Sequence, residues 1–204
     1  MRKYEFTGET KVYEGRTLNR IRRIEDGLIG GWIETEKNLS HSGGCFVYDE
    51  SMVYENARVM DNAEVRGNAQ VYGKATIREY SQVYGNAEIY DEALIYGYAQ
   101  VYENAKVCGN AEVFQYASIF GEALISDEAK VYGFSNVYNC AQITEEAKVF
   151  DFSCINGAYI SGSVEVCGNA CIYEDKFIYG EGELKGVMYS NLTHDKTVII
   201  GTSL

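Results

Sequence analysis

The stretch Val83–Tyr102 reads VYGNAEIYDEALIYGYAQVY and contains three near-copies of one six-residue phrase. From Val47 to Ile155, every sixth residue is Val or Ile, which makes nineteen positions without an exception. Two residues before eighteen of these positions, from Ser51 to Ser153, stands a small residue, fourteen times Ala and four times Ser. A repeat this regular is interpreted before any single element, because it dictates the architecture.

A helix does not explain a six-residue period. At about 100° per residue, six residues turn about 600°, so an apolar stripe would move by about 120° at each repeat. A short strand followed by a turn does explain it. The small residue and the Val or Ile lie two residues apart and point inward, and the residues beside them point outward. Gly, Asn, Asp and Glu then form the turn, Gly and Asn because they tolerate positive φ.

Aromatic turns give the number of strands in one coil. The residue before the small position is aromatic five times in succession, 18 residues apart: Tyr80, Tyr98, Tyr116, Phe134 and Phe152. A period of 18 that contains a period of six means three strands per coil and a triangular prism. After Ile155 the phase slips by one residue and resumes at Ile160. We therefore predict an all-β, single-stranded parallel β-helix of about eight coils, on the order of 40 Å long at roughly 4.8 Å per coil.

The repeat divides the chain into a body and two caps. Residues 47–184 form the β-helix. Residues 1–46 lack the phrase, and KYEFTGETKVYEG followed by RTLNRIRRI predicts an N-terminal cap with a strand, a turn, a strand and a basic face. Residues 185–204 end in the apolar run VII and predict a C-terminal cap. Caps are expected because uncovered strand edges pair with other chains.

Charge and hydropathy exclude several function classes. The net charge is −12, which argues against binding to nucleic-acid phosphates and leaves protein partners open. The N-terminal residues MRKYEFTGETK lack the hydrophobic region of a signal peptide, and the apolar runs are too short to span a bilayer. We therefore expect a soluble, cytoplasmic protein whose six cysteines are reduced thiols.

Three segments resemble a known family. The segments GRTLNRIRRI (15–24) and GGWIETEKNLS (30–40), with the VYGNA-type phrases from Val47, are similar to the YdcK-like proteins of bacteria and their phages. The resemblance covers most of the chain and implies a left-handed β-helix with hexapeptide repeats. It implies no activity, because fold alone does not give function. The residue after the Val or Ile is mostly Tyr or Phe here, whereas hexapeptide acyltransferases often have Gly, Ala or an acid there.

An acyl-CoA-dependent acyltransferase is the enzymatic alternative. Such enzymes use a histidine on a coil as general base, and a base has to reach the proton that it removes. This chain has only His41 and His194, and neither lies in the regular coils. The block 47–155 carries no insertion that could form a substrate loop. We therefore predict no catalytic residue and no cofactor, with His41 and His194 as the alternative.

The cysteines offer one ordered pair. Cys154 and Cys171 each precede a Val or Ile position and lie three phrases apart, so they should stack on adjacent coils. A redox or metal pair and two ordinary surface thiols both fit this placement. Cys167 and Cys171 have a spacing that is weak for zinc, and we predict no metal site.

The best candidate for binding is an aromatic strip along one edge of the prism. Its corner and flanking columns are Tyr80, Tyr96, Tyr98, Phe114, Tyr116, Tyr132, Phe134, Phe150, Phe152, Tyr84, Tyr102, Phe120 and Tyr138. Uncharged Gln82, Gln100, Ser118 and Asn136 run beside them. Many aromatics with few charges are typical of an interface core, and the strip is larger than a soluble monomer usually exposes. A partner protein, a homotrimer and simple stabilisation of the ladder all remain open.

A second edge has the opposite character. This acidic edge consists of Glu55, Asp91, Glu92, Asp127, Glu128, Glu145 and Glu146. Solvated carboxylates keep a protein soluble, which is one interpretation. The other is mimicry of a phosphate backbone that engages the basic groove of a nucleic-acid enzyme.

These observations favour a non-catalytic binding protein. The resemblance includes phage and prophage proteins, which implies a stoichiometric inhibitor of a bacterial defence complex or nucleic-acid enzyme. The alternatives are a hexapeptide acyltransferase and a structural β-helix protein that assembles with itself.

Overall fold

Stacked short strands make up nearly all of the chain that the structure describes. The computed structural model describes residues 2–173, 176–186, 188–189 and 197–200, and no α-helix occurs within them. Val83 pairs in parallel with Val101, and Ile89 with Val107, so each residue lies beside the one 18 positions later. Three strands therefore make one coil, and the coils build a parallel β-helix of about eight turns, which confirms the predicted fold class.

The strands form three flat faces, here named A, B and C. Face A consists of Ile29–Ile33, Met52–Val53, Gln70–Val71, Glu88–Ile89, Lys106–Val107, Leu124–Ile125, Gln142–Ile143, Tyr159–Ile160 and Thr197–Ile200. Face B consists of Arg58–Val59, Thr76–Ile77, Leu94–Ile95, Glu112–Val113, Lys130–Val131, Lys148–Val149 and Ser163–Cys167. Face C consists of Phe46–Val47, Glu64–Val65, Gln82–Val83, Gln100–Val101, Ser118–Ile119, Asn136–Tyr138, Cys154–Asn156, Cys171–Tyr173 and Met188–Tyr189. The longer strand Phe177–Lys185 pairs with face A at its start and with face B over the rest.

The core is a single column of small and β-branched side chains. The Ala or Ser and the Val or Ile of each phrase are buried and form one continuous cluster with the residues above and below. Where serine replaces alanine, its hydroxyl is satisfied: Ser81 Oγ donates to Arg78 O at 2.7 Å. The predicted phase slip is confirmed, because Ile143 pairs with Ile160, 17 residues on.

Acidic turns hold the coils together. Every sixth residue from Asp49 to Asp151 has a positive φ, and eleven of these eighteen residues are not glycine. A left-handed conformation costs a non-glycine residue about 1–2 kcal/mol. Their side chains offset this cost by bonding to the next coil: Glu103 Oε2 accepts from Gly121 N at 2.8 Å. Gln115, which carries no charge, makes the same contact: its Oε1 accepts from Gly133 N at 2.8 Å.

A pair of substitutions at Glu103 tests this role. We expect Glu103→Ala to lower the free energy of unfolding by about 1 kcal/mol, because the N–H of Gly121 loses its acceptor. We expect Glu103→Gln to retain wild-type stability, because its amide oxygen can accept the same bond. Urea denaturation followed by circular dichroism measures both variants. Equal losses in the two would show that the carboxylate charge, and not the hydrogen bond, matters.

The N-terminal cap is a hairpin that feeds into the first coil. Strands β1 (Tyr4–Tyr13) and β2 (Arg16–Arg23) are antiparallel, and β3 (Ile29–Ile33) is antiparallel to β2. The other edge of β3 pairs in parallel with Met52–Val53 of face A. A short 3₁₀ turn, Glu36–Asn38, follows. Ile33 and Leu39 are fully buried in the same core as the coils, so the core extends beneath Val47.

Ion pairs compensate the positive charge of the cap. All five arginines of residues 1–26 contact a carboxylate: Arg2 with Glu36, Arg16 with Glu55, Arg20 with Glu50, Arg22 with Glu5, and Arg23 with Asp26. The basic pattern of this segment therefore serves internal pairing. The C-terminal cap predicted for residues 185–204 lies mostly outside the described residues.

Candidate interaction surface

The corner between faces B and C carries a continuous stack of exposed rings. Its members are Tyr80, Tyr98, Tyr116, Phe134 and Phe152. Neighbouring ring centroids lie 4.8 to 5.2 Å apart, and the ring planes deviate by no more than 6°. Exposure ranges from 49% at Tyr98 to 63% at Phe152. The stack runs straight across five coils, which shows how little the coils twist here.

Two further columns flank the corner. The column on face B is Tyr96, Phe114, Tyr132 and Phe150, with centroids 4.7 to 4.9 Å apart. The column on face C is Tyr84, Tyr102, Phe120 and Tyr138, with centroids 4.8 to 4.9 Å apart. These rings are half-buried. The structure thus brings all thirteen residues of the aromatic strip together in three parallel columns.

The stacking determines what the strip can bind. Rings about 5 Å apart touch face to face, so no planar ligand fits between them, and their edges point outward. The first ring of the face B column is also covered, because the Arg78 guanidinium lies 4.9 Å from the Tyr96 centroid. Nucleobases and other planar ligands need an uncovered ring face. The strip instead presents an apolar ridge of ring edges.

Uncharged residues form the floor between the corner column and the face C column. Gln82, Gln100, Ser118 and Asn136 are paired in register on successive coils. The Tyr84 hydroxyl donates to Gln100 Oε1 at 3.3 Å. Across these four coils, the outward positions of face C hold only amides, a hydroxyl and aromatic rings. This surface is flat and neutral on a strongly acidic protein.

Face B shows that charge is tolerated beside a stack. Lys130 Nζ lies 2.7 Å from Glu112 Oε1, and Lys148 pairs with Glu165 at the same distance. The Tyr96 hydroxyl donates to Glu112 Oε2 at 3.1 Å. Burial first, and then the Glu112 carboxylate, raise the pKa of Tyr96 to about 12, so this phenol stays neutral.

Sequence reasoning missed a fourth stack, on face A. Tyr54, Tyr72 and Tyr90 stack with centroids 5.1 Å apart, and Tyr13 of β1 packs edge-on against Tyr54. These tyrosines follow the Val or Ile of their phrases and could have been found by the same count. Tyr54 is only 2% exposed, so this stack joins the cap to the coils.

The fold accounts for much of the acidic edge. Glu55 pairs with Arg16 and accepts from Gly73 N at 2.8 Å. Asp127 accepts from Glu145 N at 3.1 Å. The remaining contacts of this edge are Asp91 with Gly109 N, Glu145 with Gly162 N, Glu92 with Lys74 and Glu146 with Ser163. Carboxylates that bond to the neighbouring coil are turn elements, whatever else they do.

Of the two histidines, only His41 lies among the described residues. His41 stacks on Tyr4 at 4.3 Å, and its Nδ1 accepts from Lys3 N at 3.3 Å. Its Nε2 is shielded from solvent and has no partner among the described residues. Neither nitrogen is therefore presented as an accessible base, although a depression of about 450 Å³ lies beside the ring. His194 lies outside the described residues.

Comparison with known proteins does not identify the function of this surface. No protein-family model matches the chain, and no curated protein shows significant sequence similarity to it. Within the described ranges, no helix is long and apolar enough to cross a membrane, and no three or more His, Cys, Asp or Glu side chains cluster as metal ligands. Function is therefore inferred from the surface itself.

Proposed function

We propose that this chain is a non-catalytic binding protein that docks a partner protein on the aromatic strip and the adjoining floor of face C. One observation carries the proposal: an exposed, uncharged, aromatic face on a protein of net charge −12. Aromatic enrichment with depleted charge distinguishes interface cores from ordinary surface. A continuous apolar patch of this length on a soluble monomer typically marks an interaction site.

Stacking that only stabilises the coils requires neither exposed rings nor uncharged neighbours. The face A stack has the same 5.1 Å spacing with Tyr54 almost fully covered, so stacking does not need exposed rings. Face B places lysines and glutamates beside its column, so stacking does not need a neutral neighbour either. Exposure and neutrality coincide on face C and at the middle of the corner, from Tyr98 to Phe134, where the preceding turn residues are Gly97, Gln115 and Gly133. This coincidence supports binding over structure alone.

The chemistry of the strip defines the partner. A rigid ridge loses little conformational freedom on binding, so more of the contact energy remains as affinity. The complementary surface is an apolar, uncharged groove on a protein. Together with the resemblance to phage and prophage proteins, this supports a stoichiometric inhibitor that covers a groove of a bacterial defence complex or nucleic-acid enzyme.

Light scattering on the purified chain is the first test. We expect a monomer of 22.8 kDa, because the strip binds a different protein and not a second copy of the chain. A trimer or dimer that dissociates in Tyr98→Glu/Tyr116→Glu would overturn the proposal, since copies of the chain would then cover the strip. The expected monomer leaves the strip free for the second test.

Photo-crosslinking inside cells tests the partner directly. A photoreactive phenylalanine analogue replaces Phe134 on the strip, and the matched control places it at exposed Asn110 on the acidic edge. We expect a discrete crosslinked product from position 134 and none from position 110. Equal crosslinking from both positions would contradict a specific site.

A further inference from the structure

Two cysteines lie side by side on face C, beyond the aromatic floor. Cys154 and Cys171 are partners in register on adjacent coils, and both are half-buried free thiols. Cys154 Sγ lies 3.5 Å from the Tyr138 hydroxyl. Burial raises the pKa of Cys154, the hydrogen bond with Tyr138 opposes this change, and the neighbouring Cys171 adds to it. The pair continues the column of Gln100, Ser118 and Asn136.

The described surroundings of the pair are neutral and partly apolar. Asn136 precedes Cys154 in the column, and Asn156 pairs with Tyr173 on the same two coils. The Tyr138 and Tyr173 side chains flank the thiols. Thiolates among neutral groups form a soft ligand set, which favours Cu(I) over the oxygen-seeking Mg²⁺ and Ca²⁺.

The spacing between coils distinguishes two possible bonding arrangements of the pair, a bridging metal ion and a disulfide. Outward Cβ atoms on in-register parallel strands lie about as far apart as the strands, roughly 4.8 Å. A disulfide needs Cβ atoms about 3.8 Å apart, so the two coils would have to approach by about 1 Å. A metal ion held between two sulfurs replaces one S–S bond of about 2.0 Å by two metal–sulfur bonds of about 2.3 Å each, so it can bridge thiols on coils that keep their spacing. The unstrained coil spacing therefore favours a bridging metal ion over a disulfide.

We propose that Cys154 and Cys171 form a two-thiolate site for a soft monovalent metal ion, of which Cu(I) is the representative. Each thiol releases its proton to solvent, and each sulfur donates one electron pair to the ion, so the bound unit carries a charge of −1. The ion links the coil of Ile155 to the coil of Ile172 at the C-terminal end of face C. The site is independent of the protein-binding role proposed above.

Titration of the reduced, full-length protein with Cu(I) under argon tests the site. Bicinchoninate competes for the ion and reports free Cu(I) by its colour. We expect the wild type and the matched control Cys140→Ser, which removes an exposed thiol at a turn, to withdraw the same amount of Cu(I) from the chelator. Cys154→Ser and Cys171→Ser should each lose one bound ion per chain. Unchanged binding in either variant would overturn the proposal.

A second measurement needs no variant. Iodoacetamide alkylation of the wild type, read by peptide mass spectrometry, should be blocked by Cu(I) at Cys154 and Cys171 and unchanged at Cys140. Uniform protection of all three thiols would mean that the metal binds single thiols without a built site. Equal protection by Mg²⁺ would contradict the soft-metal selectivity.

Discussion

A variant with glutamate at both Tyr98 and Tyr116 is expected to lose its partner. The two rings lie in the middle of the corner stack, and each is about half exposed in the free chain. Docking would bury a carboxylate without a counter-ion at each site. Removing a central hot-spot residue costs about 2 kcal/mol or more, so two sites together cost about 4 kcal/mol. That loss corresponds to a dissociation constant about 1000-fold higher.

The acidic edge provides the matched control for this experiment. Asp127→Lys/Glu128→Lys also changes two exposed turn residues. We expect this variant to bind the partner identified by crosslinking with wild-type affinity. Calorimetry at low and high salt completes the design, because an uncharged interface depends little on ionic strength. Loss of binding in the lysine variant, with strong salt dependence, would transfer the site to the acidic edge. Thermal melting of both variants shows that each remains folded.

The repeat explains why so much of this fold is predictable. A strict translation of 18 residues places equivalent side chains above one another, so the inward Val83 and Val101 must meet once three strands per coil are accepted. The same translation predicts that Tyr98 stacks on Tyr116. Even the phase slip after Ile155 is visible in the sequence, because the small and β-branched pair simply resumes one residue early.

Contacts between coils at the turns are not predictable in this way. Asp91 and Glu103 look like solubilising residues, yet both hold a positive φ and accept a bond from the next coil. Only the three-dimensional register reveals that partner, which lies 18 residues away. The arginines of the cap are a similar case: the sequence shows a basic segment, whereas their carboxylate partners come partly from the first coils, as in Arg16 with Glu55.

The cap depends on close backbone approach, and Gly31 is one of the positions that require it. Gly31 is buried on β3, and a Cβ there would lie 2.6 Å from Ser51 O and 2.7 Å from Val47 Cγ1. Ser51 O cannot move away easily, because it accepts the Trp32 N–H at 2.9 Å. Overpacking of this kind costs about 3 kcal/mol, and we expect Gly31→Ala to lower the stability of the cap by that amount.

Trp32 makes the effect of Gly31→Ala measurable at the cap itself. It is the only tryptophan, it is 5% exposed, and its Nε1 donates to Glu50 at 2.9 Å. Its fluorescence should therefore report undocking of β3 at lower urea in Gly31→Ala than in the wild type, ahead of the circular dichroism signal of the coils. Gly44→Ala is the control, because a Cβ there meets only the movable Asn62 side chain. Identical fluorescence midpoints for Gly31→Ala and Gly44→Ala would show that the first coil yields to β3, and that docking of the cap does not require glycine.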